Sequence, residues 1–224
     1  MAIYVTGDTH GTLARFKDNF YHENVKRGDY VIIAGDAGIF FTNGPGHKKK
    51  INEIKSYPFT LLWVDGNHEN HDWIDSLPVT LWNGGKVHKI TDNCYHLMRG
   101  QVYTIEGRTF FTMGGADSID KQWRVEGLTW WRREMPSWEE YNEALDNLAE
   151  HNNKVDYIIT HAAPDNILYQ INPRFTQDNL THFLYEIEKN IEFKHWYFGH
   201  YHDQKEFNDG QHTLLYLDTK KVCD

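Results

Sequence analysis

The sequence predicts an α/β fold in which a pair of mixed sheets is flanked by helices. Short apolar runs rich in β-branched and aromatic residues alternate with segments of helical periodicity, an order typical of α/β proteins. Residues 94–114 hold closely spaced apolar runs with no helix between them, and residues 208–210 form an Asn-Asp-Gly turn signal. Both features indicate antiparallel strands, so the sheets are expected to be mixed.

Several runs have the length and composition of buried strands and end in small or polar residues. Five of them are residues 3–6, 30–34, 60–64, 155–160 and 195–198. The runs 95–98, 102–105 and 109–113, separated by glycines, predict an antiparallel meander. A last strand is expected over residues 213–217, after the Asn-Asp-Gly turn.

Three segments carry apolar residues at helical spacing, namely residues 13–24, 137–151 and 180–190. The second begins with a capping box, in which Ser137 precedes Glu140 by three positions. Its apolar side chains fall on one face, which predicts a helix packed against a sheet.

Composition excludes several classes of protein. The 224 residues contain no linker-like stretch or repeat, so a single domain over residues 1–224 is expected. The formal net charge of −9 is spread along the chain, which disfavours binding to long nucleic acids or to a membrane surface. Cys94 and Cys223 have no metal-type spacing, and no run reaches the roughly 20 apolar residues of a membrane span. With no signal-peptide pattern, a cytoplasmic protein is expected.

Polar residues of only a few types follow each of the five predicted buried strands. Because sites in open α/β sheets form at the carboxyl ends of strands, these side chains are expected to converge. A single Asp or His after a strand is usually a turn or cap residue. The prediction of a site therefore rests on the recurrence of such residues after all five strands. Glycine precedes four of the five groups and permits a sharp turn. The residues are Asp8, His10, Asp36, Asn67, His68, His161, His200 and His202.

Carboxylate, imidazole and amide oxygen are ligands for divalent ions, and the set suits two of them. Two ions roughly 3.5–4 Å apart need a bridging ligand with two oxygens, for which Asp36 is the candidate. Two divalent ions with the carboxylates of Asp8 and Asp36 leave a local positive charge, which would attract a phosphate to this acidic chain. Asn67 would ligate without reducing that charge.

The five groups together resemble the five-part signature of the calcineurin-like metallophosphoesterases, in that family's order. They are Asp8-Thr9-His10, Gly35-Asp36, Gly66-Asn67-His68-Glu69, His161 and Gly199-His200-Tyr201-His202. The resemblance implies a four-layer α-β-β-α sandwich of two mixed β-sheets flanked by helices. It also implies a metal-dependent phosphoric ester hydrolase, either a phosphatase or a phosphodiesterase.

The resemblance further implies two divalent metal ions. One would be held by Asp8, His10 and His202, the second by Asn67, His161 and His200, with Asp36 bridging them. Mn²⁺ is the first expectation, and Fe, Zn²⁺, Co²⁺ and Ni²⁺ are alternatives. A hydroxide on the ions would be the nucleophile.

His68 would be the catalytic residue that contacts the phosphoryl oxygen or the leaving group. Its ordinary pKa suits proton donation near neutral pH.

The sequence departs from the protein-phosphatase and dinucleoside-tetraphosphatase branches of that family. Asp36 is not followed by Arg-Gly, and Asp65 stands where those branches have a basic residue. The resemblance is therefore to the compact bacterial and phage members. A small phosphomonoester or phosphodiester is expected as substrate, with a nucleotide-like compound favoured, and the oligomeric state is left open.

Residues 114–134 combine basic and aromatic side chains after two glycines. Such a segment can bind phosphate and stack a base, or it can be a packed loop whose tryptophans cover the core. If it reaches the site, Arg124 is the first candidate for a substrate-binding residue, because a planar guanidinium can bind phosphate through two hydrogen bonds. Lys121 is the second candidate. His71, close after Glu69, could line the pocket, but a place at the surface is expected.

Two other functions stay open at this level. A non-catalytic scaffold could keep the fold, but the complete set of ligand types and His68 argue against it. A metal-storage or metal-sensing protein would explain the ligands but not His68.

Overall fold

The computed structural model describes residues 1–41 and 46–222, so Cys223 lies outside the described residues. Within them, the strands form two mixed sheets. Sheet A contains, in spatial order, β13 (Thr219–Lys221), β1 (Ile3–Thr6), β2 (Tyr30–Ile33), β3 (Thr60–Trp63), β6 (Cys94–Leu97), β5 (Gly85–Thr91) and β4 (Val79–Trp82). Sheet B contains β11 (Lys205–Phe207), β12 (His212–Leu214), β10 (His195–Phe198), β9 (Tyr157–Thr160), β8 (Arg108–Met113) and β7 (Gln101–Ile105).

The centre of each sheet is parallel and its edges are antiparallel. In sheet A, β1, β2, β3 and β6 run parallel, while β13 and β5 pair antiparallel at either side. In sheet B, β8, β9, β10 and β12 run parallel, and β7 and β11 are antiparallel to their neighbours. The parallel centres align the carboxyl ends of several strands at one edge of each sheet.

Helices cover the outer faces. The helices α1 (Asn19–Asn24), α2 (Gly46–Lys55) and α3 (His71–Asp75) contribute buried side chains to a core shared with sheet A. The helices α4 (Trp138–Glu150), α5 (Asp165–Ile171) and α6 (Asn179–Asn190) do the same for sheet B. None of the helices in the described ranges combines the length and apolar character needed to cross a bilayer.

Successive side chains of the central strands point alternately to the core between the sheets and to the core beneath the helices. In β1, Ile3 and Val5 face the core between the sheets, whereas Tyr4 faces the helices. In β10, Tyr197 faces sheet A, and Trp196 faces the helices of sheet B. The predicted four-layer α-β-β-α sandwich is therefore confirmed.

The five predicted buried strands all form, with ends that differ by at most two residues from those expected. The helix predicted over residues 13–24 is interrupted, because the carboxylate of Asp18 accepts a hydrogen bond from the N–H of Tyr21 and caps a new helix there. A 3₁₀ turn, Ala14–Lys17, precedes the cap.

The predicted three-stranded meander is wrong for its first strand. β7 and β8 form the expected hairpin in sheet B, but β6 belongs to sheet A, between β3 and β5. The chain crosses between the sheets at Met98–Gly100, where Gly100 has a φ of 71° and packs against Ala144 of α4. Since β4 and β5 were not predicted, the pairing partner of β6 could not be recognised from the sequence.

A buried ion pair ties this crossing to the end of β3. The side chains of Asp65 and Arg99 are 3% and 2% exposed, and Arg99 Nε donates to Asp65 Oδ2 at 2.9 Å. Arg99 also donates to the backbone oxygen of Arg133 at 2.7 Å and lies 3.3 Å from Glu140 Oε2. The guanidinium holds the pKa of Asp65 well below its usual range, although burial alone would raise it.

We expect Arg99→Met to lower the free energy of unfolding by about 3 kcal/mol, because it leaves the carboxylate of Asp65 buried and unpaired. The double variant Asp65→Asn with Arg99→Met should be more stable than Arg99→Met alone. Urea denaturation measures both. A double variant as unstable as the sum of its two single variants would contradict this account.

Candidate metal centre

Four of the predicted ligands have a left-handed backbone conformation. The φ angles are 46° at His10, 47° at Asp36, 72° at His200 and 51° at His202. Such angles are uncommon for residues other than glycine and cost of order 1–3 kcal/mol each when the site is strained. The loops after β1, β2 and β10 are therefore folded to direct these side chains towards one another.

Glycines allow the loops to approach closely. A Cβ on Gly66 would collide with the carboxylate of Asp36, and one on Gly199 with the carboxylate of Asp8. A Cβ on Gly35 would collide with the ring of His161. The glycines that precede the predicted ligands thus make room for ligands from neighbouring loops.

One group of possible ligands consists of Asp8, His10 and His202, whose ligand atoms lie within 4.8 Å of one another. His202 Nε2 is 3.2 Å from Asp8 Oδ2 and 2.9 Å from His10 Nε2. Asp8 is 1% exposed, whereas the two histidines are exposed. These are the three residues expected to hold the first ion.

A second group consists of Asp8, Asp36 and His161, with ligand atoms again within 4.8 Å. His161 Nε2 lies 3.3 Å from Asp36 Oδ1 and 3.2 Å from Asn67 Oδ1, which places the amide oxygen beside the group. Asp8 belongs to both groups. Asp36 was expected to be the bridge, and its Oδ2 reaches towards the first group, 3.9 Å from His10 Nδ1.

His200 lies next to the second group, with its ring centroid 4.9 Å from that of His161. Its backbone N–H donates to Asp8 Oδ1 at 3.1 Å. Burial, together with the neighbouring His161, lowers the pKa of His200 to about 3. The ring is therefore neutral at physiological pH, as a metal ligand must be.

Asp36 and His161 compensate each other's burial. Burial alone would raise the pKa of Asp36, but His161 and the N–H of His68, 2.7 Å from Asp36 Oδ1, hold it below its usual range. Burial would lower the pKa of His161, yet Asp36 and Asp8 raise it to about 10, so an ion bound by this ring would have to displace its proton. The carboxylate of Asp36 is thus held ionised, the form that binds cations.

The residues fit divalent ions. Asp8 Oδ2 is buried and accepts no hydrogen bond of suitable geometry, although His202 lies close to it. A buried carboxylate oxygen without a donor is costly unless a cation is near. The surrounding imidazole and carboxylate groups suit borderline divalent metals, so the chemistry of the set agrees with the expected cofactor class.

A hydrogen-bonded pair orients the amide of Asn67. Its Nδ2 donates to Ser118 Oγ at 3.0 Å, which directs Oδ1 towards His161. Ser118 also interacts with the side chain of Glu134, whose pKa burial raises to about 7. The sequence analysis selected residues 114–134 for their arginines and tryptophans and missed Ser118, since a lone serine gives no signal.

The segment 114–134 reaches the site through Arg124. Its guanidinium lies against the ring of His68, with Nη1 3.4 Å from Nδ1 and Nη2 3.3 Å from Nε2, while Nε pairs with Asp120 at 2.8 Å. Burial lowers the pKa of His68, and the charge of Arg124 lowers it further. Asp36 acts in the opposite direction.

Lys121 is not among the described residues that line the cavity at the site. Its ammonium pairs with Asp117 at 2.7 Å, and its side chain is 47% exposed. Part of the segment 114–134 packs on the core, since Trp131 is buried, whereas Trp123 is exposed.

A cavity of about 450 Å³ opens onto the candidate centre. Its polar wall includes Asp36, Asn67, His68, Arg124, His200 and His202. Such a volume accommodates a small organic phosphate.

The expectation that His71 lies at the surface is wrong. It is 2% exposed, and burial lowers its pKa to about 4. It begins α3 and packs near Trp131, with ring centroids 6.3 Å apart. Hydrophobic periodicity gave no reason to bury it, since α3 has only five residues.

The chain matches a known family over most of its length. The calcineurin-like phosphoesterase family model matches residues 1–204. The chain therefore belongs to the calcineurin-like phosphoesterases, a class of phosphoester hydrolases.

The individual proteins to which the chain is similar share less than a third of their residues with it over the compared regions. The lariat debranching enzyme of Schizosaccharomyces pombe is 29% identical over 145 residues, which cover 57% of this chain and 29% of that enzyme. A crystal structure from Staphylococcus aureus, assigned as a 5′-nucleotidase, superimposes with a TM-score of 0.53 at 16% identity, covering 96% of this chain and 48% of that one. Phosphopantetheinyl hydrolase of Mycobacterium tuberculosis gives a TM-score of 0.43 at 15% identity, covering 96% and 90% of the two chains. The chain thus spans less than half the length of the first two proteins, and the nucleotidase likeness concerns the fold alone.

We expect Ser118→Ala to weaken Mn²⁺ binding about tenfold, because the amide of Asn67 loses the acceptor that orients it. Ser118→Thr, which keeps the hydroxyl group, is the matched control and should bind Mn²⁺ nearly as the unaltered chain does. Isothermal titration measures both affinities. Equal Mn²⁺ affinity in Ser118→Ala and the unaltered chain would refute the role of Ser118.

Proposed function

We propose that the protein hydrolyses a small phosphomonoester or phosphodiester with the help of two divalent metal ions. The observation that supports this most is the presence of two ligand groups that share Asp8, next to a cavity that His68 and Arg124 line. A site that only stores or senses a metal needs neither an adjoining cavity nor an arginine beside a histidine that is not a ligand. Metal storage and metal sensing therefore do not explain the cavity or the pair of Arg124 and His68.

Asp8, His10 and His202 would hold one ion, and Asn67, His161 and His200 the other, with Asp36 between them. Mn²⁺ is the metal we propose first. When bound, such ions would polarise the phosphoryl oxygens and activate a water molecule for attack. The remaining steps depend on the chain's own side chains.

Arg124 would bind the phosphate. Its guanidinium is partly buried, Asp120 pairs with its Nε, and Nη1 donates to the backbone oxygen of Thr129 at 3.4 Å, so that Nη1 and Nη2 lie beside His68 at the cavity. A guanidinium in this position can donate two hydrogen bonds to phosphate oxygens.

His68 would act on the leaving group. The backbone N–H of His68 donates to Asp36 Oδ1, which fixes the loop. The ring of His68 contacts Arg124, and its centroid lies 5.3 Å from that of the His10 ring. A histidine in this place can deliver a proton to the departing oxygen within the cavity.

A small substrate is favoured over a long polymer. The net charge of −9 provides no basic track for a nucleic acid backbone, and the cavity is local and small. We further propose that residues 1–224 form one domain, since the two sheets share a central core, and that the protein acts in the cytoplasm.

The direct test is Mn²⁺-dependent hydrolysis of p-nitrophenyl phosphate and bis-p-nitrophenyl phosphate. We expect turnover of at least one ester, reduced about a hundredfold or more in Asp36→Asn because a buried ligand to the ions is lost. Preference for the diester would indicate a phosphodiesterase, and preference for the monoester a phosphatase. Bound metal with no turnover of either ester would favour the non-catalytic alternatives.

Arg124→Ala should raise KM for the hydrolysed ester about tenfold or more, since charge-assisted hydrogen bonds to phosphate are lost. Lys121→Ala is the matched control from the same loop and should leave KM nearly unchanged, because its ammonium is turned towards Asp117. Steady-state kinetics with the two variants separates them. A larger effect from Lys121→Ala would reverse the assignment.

A further inference from the structure

The cavity continues beyond the candidate metal centre over an apolar wall built by two loops. Ile119 comes from the segment after β8, and Phe175 from the loop between α5 and α6. Ile119 is 88% exposed and Phe175 is 38% exposed, so both present apolar surface to the cavity mouth. Leu168 and Tyr201 line the same wall from beneath.

Aromatic rings lead from the metal centre to this wall. The ring of His200 lies 4.8 Å from that of Tyr201, and the ring of Tyr201 lies 5.5 Å from that of Phe175 at an interplanar angle of 31°. The hydroxyl oxygen of Tyr201 accepts a hydrogen bond from the N–H of Ala163 at 3.1 Å, which fixes the ring. A phosphoester bound at the centre would therefore direct its leaving group along Tyr201 towards Phe175.

We propose that Phe175 and Ile119 form a subsite for a planar aromatic group of the substrate, such as a nucleobase. This rests on the proposed function. A flat ring can stack on the exposed phenyl face of Phe175, and such stacking tolerates any base. Thr176 and Gln177 line the cavity next to it and can hydrogen-bond to the polar edge of a base.

The acidic residues of the cavity do not oppose an anionic nucleotide there. Asp117 is paired with Lys121 and Asp120 with Arg124. Asp178 uses Oδ1 to cap α6, accepting hydrogen bonds from the N–H groups of Leu180 and Thr181. These carboxylates are thus engaged with the chain, and Thr176 and Gln177, which line the cavity beside Phe175, carry polar groups that can hydrogen-bond to a base.

The test compares binding of two non-hydrolysable phosphonate analogues in the presence of Mn²⁺, one of adenosine monophosphate and one of ribose 5-phosphate. They differ only in the base. We expect the adenosine analogue to bind about tenfold more tightly by isothermal titration. Phe175→Ala should remove most of that difference and leave binding of the ribose analogue unchanged.

Phe175→Leu keeps apolar bulk without a ring and should also lose most of the difference, with thermal melting as the check that both variants fold. Trp123→Ala is the control, since Trp123 is 83% exposed and does not line the cavity among the described residues. Equal binding of the two analogues, no binding of either, or a loss caused by Trp123→Ala in place of Phe175→Ala would overturn the subsite.

The subsite and the proposed function fail in different ways, because binding is measured without turnover. Base-dependent binding that requires Phe175, with no hydrolysis of either p-nitrophenyl ester, would support the subsite and contradict the proposed function. Ester hydrolysis with equal binding of the two analogues would support the proposed function and contradict the subsite.

Discussion

The candidate centre depends on stabilising two buried carboxylates, those of Asp8 and Asp36, each of which is 1% exposed. A buried charge is costly unless it is paired and hydrogen-bonded. Part of the compensation comes from sheet B, because His161 follows β9 and the N–H of His200 follows β10. Groups that follow strands of sheet B thus stabilise the buried carboxylates that follow strands of sheet A. These contacts constrain how the two sheets meet at this edge.

The same requirement explains why unfavourable backbone conformations gather here. Four predicted ligands have positive φ angles, and three glycines lie where any side chain would strike a ligand. The parallel strands at the centre of each sheet are short and buried, so the central core between the sheets can hold the strained loops in place. The buried pair of Asp65 and Arg99 adds a second anchor, linking the Asn67 loop to the segment that carries Arg124.

Much of this was predictable, and the limits have physical causes. Buried parallel strands were recognised because each is a short continuous apolar run, and their ligands because glycine and metal-binding residues recur after them. β4 escaped prediction because its side chains are mostly exposed, and without it and β5 the sheet of β6 was misassigned. Ser118 and the wall at Phe175 depend on contacts between segments distant in sequence, which a periodic pattern cannot reveal.

The most direct test of a two-ion centre is the Mn²⁺ content of the folded protein after loading and removal of free metal. Because Asp8 belongs to both ligand groups, we predict about two ions per chain in the unaltered protein, well below one in Asp8→Ala and about one in His202→Ala. Thermal melting confirms that the variants fold. One ion or fewer in the unaltered protein, or full occupancy in Asp8→Ala, would contradict the account.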